Sequence, residues 1–109
     1  MIGSAGVQET LQMRREELVT RADRARDDAA HRREAVSRDF SEQASERQND
    51  DVLRGIETAA REEIAQIDSA LDRLQRGEYG ICVECGREIE VARLDAIPYA
   101  DRCQTCVGH

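Results

Sequence analysis

Four cysteines near the C-terminal end restrict this chain more than any other feature. They read Cys82-Val83-Glu84-Cys85 and, 17 residues later, Cys103-Gln104-Thr105-Cys106. A C-x2-C pair offers two thiolates to one ion from a single tight turn, and a second pair completes a tetrahedron. Gly86 directly follows Cys85 and permits a left-handed backbone that turns amides toward sulfur. Four sulfur ligands leave no position for water or substrate. One structural Zn2+ on Cys82, Cys85, Cys103 and Cys106 is therefore expected. Two other readings are weaker. Paired disulfides suit a secreted chain, and no secretory-signal pattern is visible. A redox-active C-x-x-C wants a βαβ context that this sequence does not offer. His109 could replace one cysteine, but with four thiols present it reads as a terminal residue.

The rest of the chain is poor in core-forming residues. Over its 109 residues, 39% are hydrophobic and 3% aromatic, against 36% charged, which favours charge-rich helices stapled by a metal over a globular core. Net charge is −7, and all 16 basic residues of the Lys/Arg type are arginine. Neutralising phosphates drives nonspecific DNA binding, so an acidic chain is not expected to read DNA sequence directly. A basic protein surface suits it better. No apolar run is long enough for a transmembrane helix, and position 2 is Ile rather than the glycine that myristoylation needs. Thiols reduced on zinc imply the cytoplasm. There is no nucleophile–base pair and no phosphate loop, so an enzyme is not expected.

Residues 1–9 carry no pattern and read as a flexible start. From Thr10, a possible cap, Leu11, Arg15, Leu18, Ala22, Ala25, Ala29, Arg32 and Val36 recur in steps of four and three. That is a helix seam with two arginine misfits, and its alanine middle lets a partner come close. A second seam runs through Leu53, Ile56, Ala60, Glu63, Ile67, Ala70 and Leu74, broadened by Ile64 and Leu71. Arg73, Arg76 and Gly77 mark its end. Two such seams predict a mainly α fold: an antiparallel helical hairpin (a coiled coil) over residues 10–77, followed by a small four-cysteine zinc-finger module over 78–109. Arms of roughly 28 to 32 residues would reach about 40 to 48 Å. A monomer is expected. The alternative is one continuous helix that dimerises, since no proline precedes Pro98.

The break near 38–45 reads Arg38-Asp39-Phe40-Ser41-Glu42-Gln43-Ala44-Ser45. Asp39 and Glu42 are spaced like an N-cap and its N3 partner, and Ser45 with Gln48 offers a second capping box. Two carboxylates and an aromatic at the end of a stiff arm would equally suit a probe for a deep site. Beyond Gly77, the apolar residues Tyr79, Ile81, Ile89, Val91, Leu94, Ile97 and Tyr99 are expected to pack the zinc module, with Pro98 fixing a turn.

The string Tyr79-Gly80-x-Cys82-x-x-Cys85-Gly86-x-x-Ile89-x-x-x-Arg93-Leu94-x-Ala96-x-Pro98-x-Ala100-x-x-Cys103-x-x-Cys106 resembles the zinc-finger signature of the DksA/TraR family of bacterial transcription factors. It fixes many positions besides the cysteines. The namesake's hairpin tip carries Asp-x-x-Asp-x-Ala, and Asp39-x-x-Glu42-x-Ala44 stands at the same distance ahead of the first cysteine. The resemblance covers roughly residues 39 to 106, with the first helix similar in pattern only. It implies a factor that binds RNA polymerase directly. The zinc module and hairpin base would dock on the rim of the secondary channel, and the arm would carry an acidic tip toward the Mg2+-containing catalytic centre. On that carry-over Asp39 and Glu42 are the tip acids, with Ala44 the small residue beside them.

Three departures from the family pattern bear on function. The second tip acid is Glu42, longer by one methylene. Only three residues follow Cys106, where the namesake continues into a helix. The positions that are basic in the namesake for guanosine tetraphosphate fall on Gln66, Ile97 and Val107, so alarmone binding in that manner is not expected. A zinc-stapled protein–protein adaptor that does not act on polymerase is the alternative function.

Overall fold

The structure, a computed structural model, describes the backbone of residues 4–34 and 40–107 and the side chains of 6–30 and 49–107. Four helices follow in order: α1 Ser4–Glu34, α2 Phe40–Gln75, α3 Val91–Ala96 and α4 Gln104–Val107. α1 and α2 form a helical hairpin, and the cysteine segment follows it. Two compact units divide the chain, Met1–Arg15 with Ala65–His109, and Glu16–Ile64. The base of the hairpin thus belongs with the cysteine module.

Burial on α1 follows the expected seam. Leu11 lies in the first unit, and Leu18, Ala22, Ala25 and Ala29 in the second; all are buried. Arg32 and Val36 fall outside the described side chains. The helix starts earlier than the Thr10 cap would suggest. Val7, one turn ahead of Leu11, is also buried, and its burial extends the seam toward Ser4. Thr10 is no cap: its Oγ1 donates to the Gly6 carbonyl at 2.9 Å, a bond made inside a helix. Residues 4–9 of the expected flexible start are therefore helical.

Arg15, the first misfit, resolves its position by reaching out of the seam. Its Nε donates to Asp68 Oδ1 at 2.6 Å and its Nη2 to Oδ2 at 3.3 Å. The hydrogen bond first, and then the carboxylate's charge, hold its guanidinium pKa above the ordinary value. In the second unit Arg61 Nη2 lies 3.6 Å from Asp23 Oδ1 and 2.9 Å from Glu57 Oε2. As α1 advances, its partners on α2 retreat, which is the antiparallel arrangement. A single continuous helix is excluded by the same pairs.

On α2 the expected stripe is found, with Ile56 the one member that lies outward. Ala60, Ile64, Ile67 and Ala70 are buried, while Ile56 is 40% exposed. Leu53, Glu57, Glu63, Leu71 and Leu74 are half-buried. Within the stripe Ile64 lies deeper than its neighbour Glu63. Burying the carboxylate would carry a desolvation cost that burying the isoleucine does not. α2 is already helical at Phe40, so Ser45 lies inside the helix rather than at its start. Asp39 and its capping role lie outside the described residues. Gly77 ends α2 with φ 73°. Its amide donates to Leu74 O at 3.2 Å and that of Glu78 to Arg73 O at 2.8 Å, the two bonds of a Schellman stop.

The depth of burial along α2 is testable. Ile67→Ala, at a fully buried position, should cost about 2–5 kcal/mol in urea unfolding, and Ile56→Ala under about 1 kcal/mol. Equal losses would place Ile56 among the buried residues. Gly55 sits in α2 with open space where a Cβ would be. Gly55→Ala should therefore raise stability by up to about 1 kcal/mol in the same assay; a loss would show that the helix is not the native state there.

Candidate metal centre

The module after Gly77 is built from two knuckles. The first is a short turn of backbone closed on itself: Ile89 N donates to Gly80 O, Cys82 N to Arg87 O and Gly86 N to Cys82 O, at 2.8, 2.8 and 2.9 Å. Ile81 and Glu88 form an isolated antiparallel bridge across it. Gly86 takes φ 76°, the left-handed turn its position after Cys85 predicts. The second knuckle opens α4, where the amides of Cys106 and Val107 both donate to Cys103 O at 3.0 Å. Val83 N donates to Asp101 O at 2.8 Å and ties one knuckle to the other.

The apolar set between them is only partly as expected. Cys82, Ile89, Leu94, Ala100 and Cys103 form the core, with Tyr79, Ile97 and Cys106 packed against it. Ile81 and Val91, also expected inside, are 40% and 59% exposed. Ile81 holds the bridge by its backbone, and Val91 opens α3, so neither side chain is needed within. Pro98 follows Ile97 in a turn closed by Ala100 N to Ile97 O at 2.9 Å. Tyr79 buries its ring and donates its hydroxyl to Pro98 O at 2.8 Å. Burial raises its pKa, against the opposing charge of Arg73 and with that of Asp95.

These turns bring all four Sγ atoms within 4.8 Å of one another. Cys85 and Cys103 sulfurs lie 3.7 Å apart, far beyond a disulfide bond. A tetrahedron with Zn–S bonds of about 2.3 Å has edges of about 3.8 Å, so the donor set and its spacing fit Zn2+. The thiols are already differentiated. Burial pushes Cys82 up, but hydrogen bonds from the backbone of Cys103, Cys85 and Glu84 outweigh it, and its pKa falls to about 6. Cys106, hydrogen-bonded first to Cys103 and also buried beside the other sulfurs, is pushed up to about 12.

Two polar side chains that spacing alone did not single out hold the knuckles. Arg93 Nε donates to Arg102 O at 2.8 Å. Glu90 Oε2 accepts from Gln104 N, at the start of α4, at 3.2 Å. These pairs join residues far apart in sequence, and no local pattern announces them.

Of the other residues singled out by sequence, Asp39 lies outside the described residues. Glu42 and Ala44 lie in the first turns of α2, where only the backbone is described. Gln66, Ile97 and Val107, distant in sequence, line one cavity.

A helical hairpin followed by four clustered cysteines defines a C4-type zinc-finger protein with one structural Zn2+. Residues 7–74 match the DnaK suppressor protein-like N-terminal domain, and residues 77–106 the prokaryotic DksA/TraR C4-type zinc finger. The chain belongs to the DksA/TraR family. Its fold is similar to that of the transcription factor DksA2 from Pseudomonas aeruginosa, with TM-score 0.83 and 27% identity over 96% of this chain and 80% of that one. It is also similar to the DnaK suppressor protein from Agrobacterium tumefaciens, with TM-score 0.64 and 31% identity over 99% and 94%. The RNA polymerase-binding transcription factor DksA of Caulobacter vibrioides is 38% identical over 60 residues, 51% of this chain and 42% of that protein. A protein of Aquifex aeolicus is 43% identical over 56 residues, 51% of this chain. The two sequence matches span well under two thirds of those relatives' length, 42% of the Caulobacter protein and 37% of the Aquifex protein.

Zinc uptake should release protons. Between about pH 6 and about 12 the metal-free cluster holds a thiolate at Cys82 and a thiol at Cys106, and coordination displaces the proton. Apparent zinc affinity should therefore rise with pH through that window, and fall more steeply below about 6 as Cys82 also protonates. Calorimetry of the apo chain in buffers of different ionisation enthalpy measures this. Proton-neutral uptake at pH 7 would contradict it.

Proposed function

We propose that this chain is a DksA-like transcription regulator that binds RNA polymerase directly. The observation that carries the reading is the pairing, in one chain, of the hairpin domain over 7–74 with the C4 zinc finger over 77–106. A relative 38% identical over 60 residues is an RNA polymerase-binding transcription factor in Caulobacter. In this reading Cys82, Cys85, Cys103 and Cys106 hold the zinc and keep the module folded against the hairpin base. That end docks on the rim of the polymerase secondary channel. The hairpin enters the channel and delivers Asp39 and Glu42, with Ala44 beside them, toward the catalytic Mg2+. Carboxylates are attracted to an electropositive, metal-containing site, and a stiff arm loses little entropy on insertion.

The protein acts in the cytoplasm, where polymerase is, as a monomeric binding factor without turnover of its own. No described helix is long and apolar enough to cross a membrane. Guanosine tetraphosphate is not bound in the namesake's manner, because Gln66, Ile97 and Val107 supply no positive charge. The acidic chain, at net charge −7, meets polymerase rather than promoter DNA.

The test is co-purification with core RNA polymerase, followed by transcription from a ribosomal promoter. The wild-type chain should form a stoichiometric complex that other secondary-channel factors displace. Asp39→Asn should bind within about threefold of wild type yet lose most of the transcriptional effect. Recovery of some other partner with no polymerase subunits would select the adaptor reading instead.

A further inference from the structure

The first compact unit holds a cavity of about 410 Å3 whose wall includes Gln66 and Arg73 of α2 and Arg93, Ile97, Asp101 and Val107 of the zinc module. Arg73 is the one charged side chain among the described residues that is buried, at 8% exposure. Its Nη2 has no hydrogen-bond partner among them. A buried guanidinium nitrogen without an acceptor is unfavourable, and native structures rarely leave one so. Arg93 is partly committed, since its Nε donates to the Arg102 carbonyl. Asp101 contributes the one carboxylate among the residues lining the cavity.

The wall therefore carries two positive charges against one negative, with Ile97 and Val107 as apolar sides. One net positive charge in an apolar-walled cleft suits a single carboxylate on a short aliphatic stem. It does not suit a polyphosphate, which would need several cations. We propose that this cavity receives one aspartate or glutamate side chain of a docking protein, with Arg73 as the donor that recognises it. The inference rests on the polymerase reading above for the identity of the partner and adds the chemistry of the contact. An acidic chain thereby carries a cationic socket at its docking end.

Affinity for core RNA polymerase is measured for the wild-type chain, Arg73→Met and Asp101→Asn, with zinc content and helical circular dichroism alongside. Arg73→Met keeps much of the side-chain volume and should bind about 30-fold or more weakly, with zinc and helicity unchanged. Asp101→Asn removes the opposing charge and should bind about threefold more tightly, a gain that misfolding cannot produce. If wild type fails to bind polymerase, the polymerase reading fails and this one with it. If wild type binds and Arg73→Met binds equally well, this inference alone is overturned. Should Arg73→Met lose zinc or helicity, Asp101→Asn decides: unchanged or weaker binding overturns the proposal. Titration of the free protein with inorganic pyrophosphate should show no saturable uptake. Saturation that depends on Arg73 would make the occupant a free phosphate anion and overturn the carboxylate.

Discussion

Four sulfur atoms within 4.8 Å of one another are a constraint that the rest of the module is built to satisfy. Contact among them sets their proton affinities apart, one down to about 6 and one up to about 12. A divalent cation engages all four as thiolates. Two of the sulfurs, on Cys82 and Cys103, are also core residues beside Ile89, Leu94 and Ala100. Such a core is too small to hold a domain by apolar burial alone, and the metal supplies what it lacks. The backbone conforms in turn: Gly86 in the left-handed region, the doubled amide bonds onto Cys103, and the Val83–Asp101 tie all place sulfur where the ion requires it.

The hairpin is held together differently. Its seam on α1 is built from alanines, Ala22, Ala25 and Ala29, which are buried without contributing much apolar area. Small side chains let helices approach closely, so contact is gained through backbone proximity rather than bulk. Polar pairs such as Arg15–Asp68 and Arg61–Asp23 line the flanks. Exposed pairs of this kind contribute little stability each, yet like-charge neighbours in a shifted register would be repelled, so they help to set register. A helix pair held this way has a charged exterior.

Much of this was legible in the residues. The cysteine spacing specified the metal centre because four ligands in two tight turns admit few other uses. The α1 seam was legible because Leu11, Leu18, Ala22, Ala25 and Ala29 keep one helical phase, and the stray apolar residues Met13, Val19 and Ala30 make no second one. The end of α2 was legible because Gly77 alone there can take a left-handed backbone. The α2 stripe was legible too, except for Ile56. Which of its members lie deepest, Ile64 rather than Ile56 or Glu63, belongs to the partner helix. The early start of α1 escaped notice because a single apolar residue, Val7, carries no periodicity until a neighbour buries it.

What the amino-acid order determined by itself is chemistry that acts over a few residues: ligand type and spacing, helix period, the glycine stop and the excess of acid over base. Each depends on bonds or turns within one stretch of chain, so the linear order contains it. What only the tertiary structure decided is every relation between distant stretches. Gln66, Ile97 and Val107 share one cavity wall with Arg73, Glu90 caps the turn at Gln104, and Ile64 is buried where Ile56 is not. Those outcomes depend on desolvation and on which groups face each other across a gap. That energy does not exist until the fold has closed the gap.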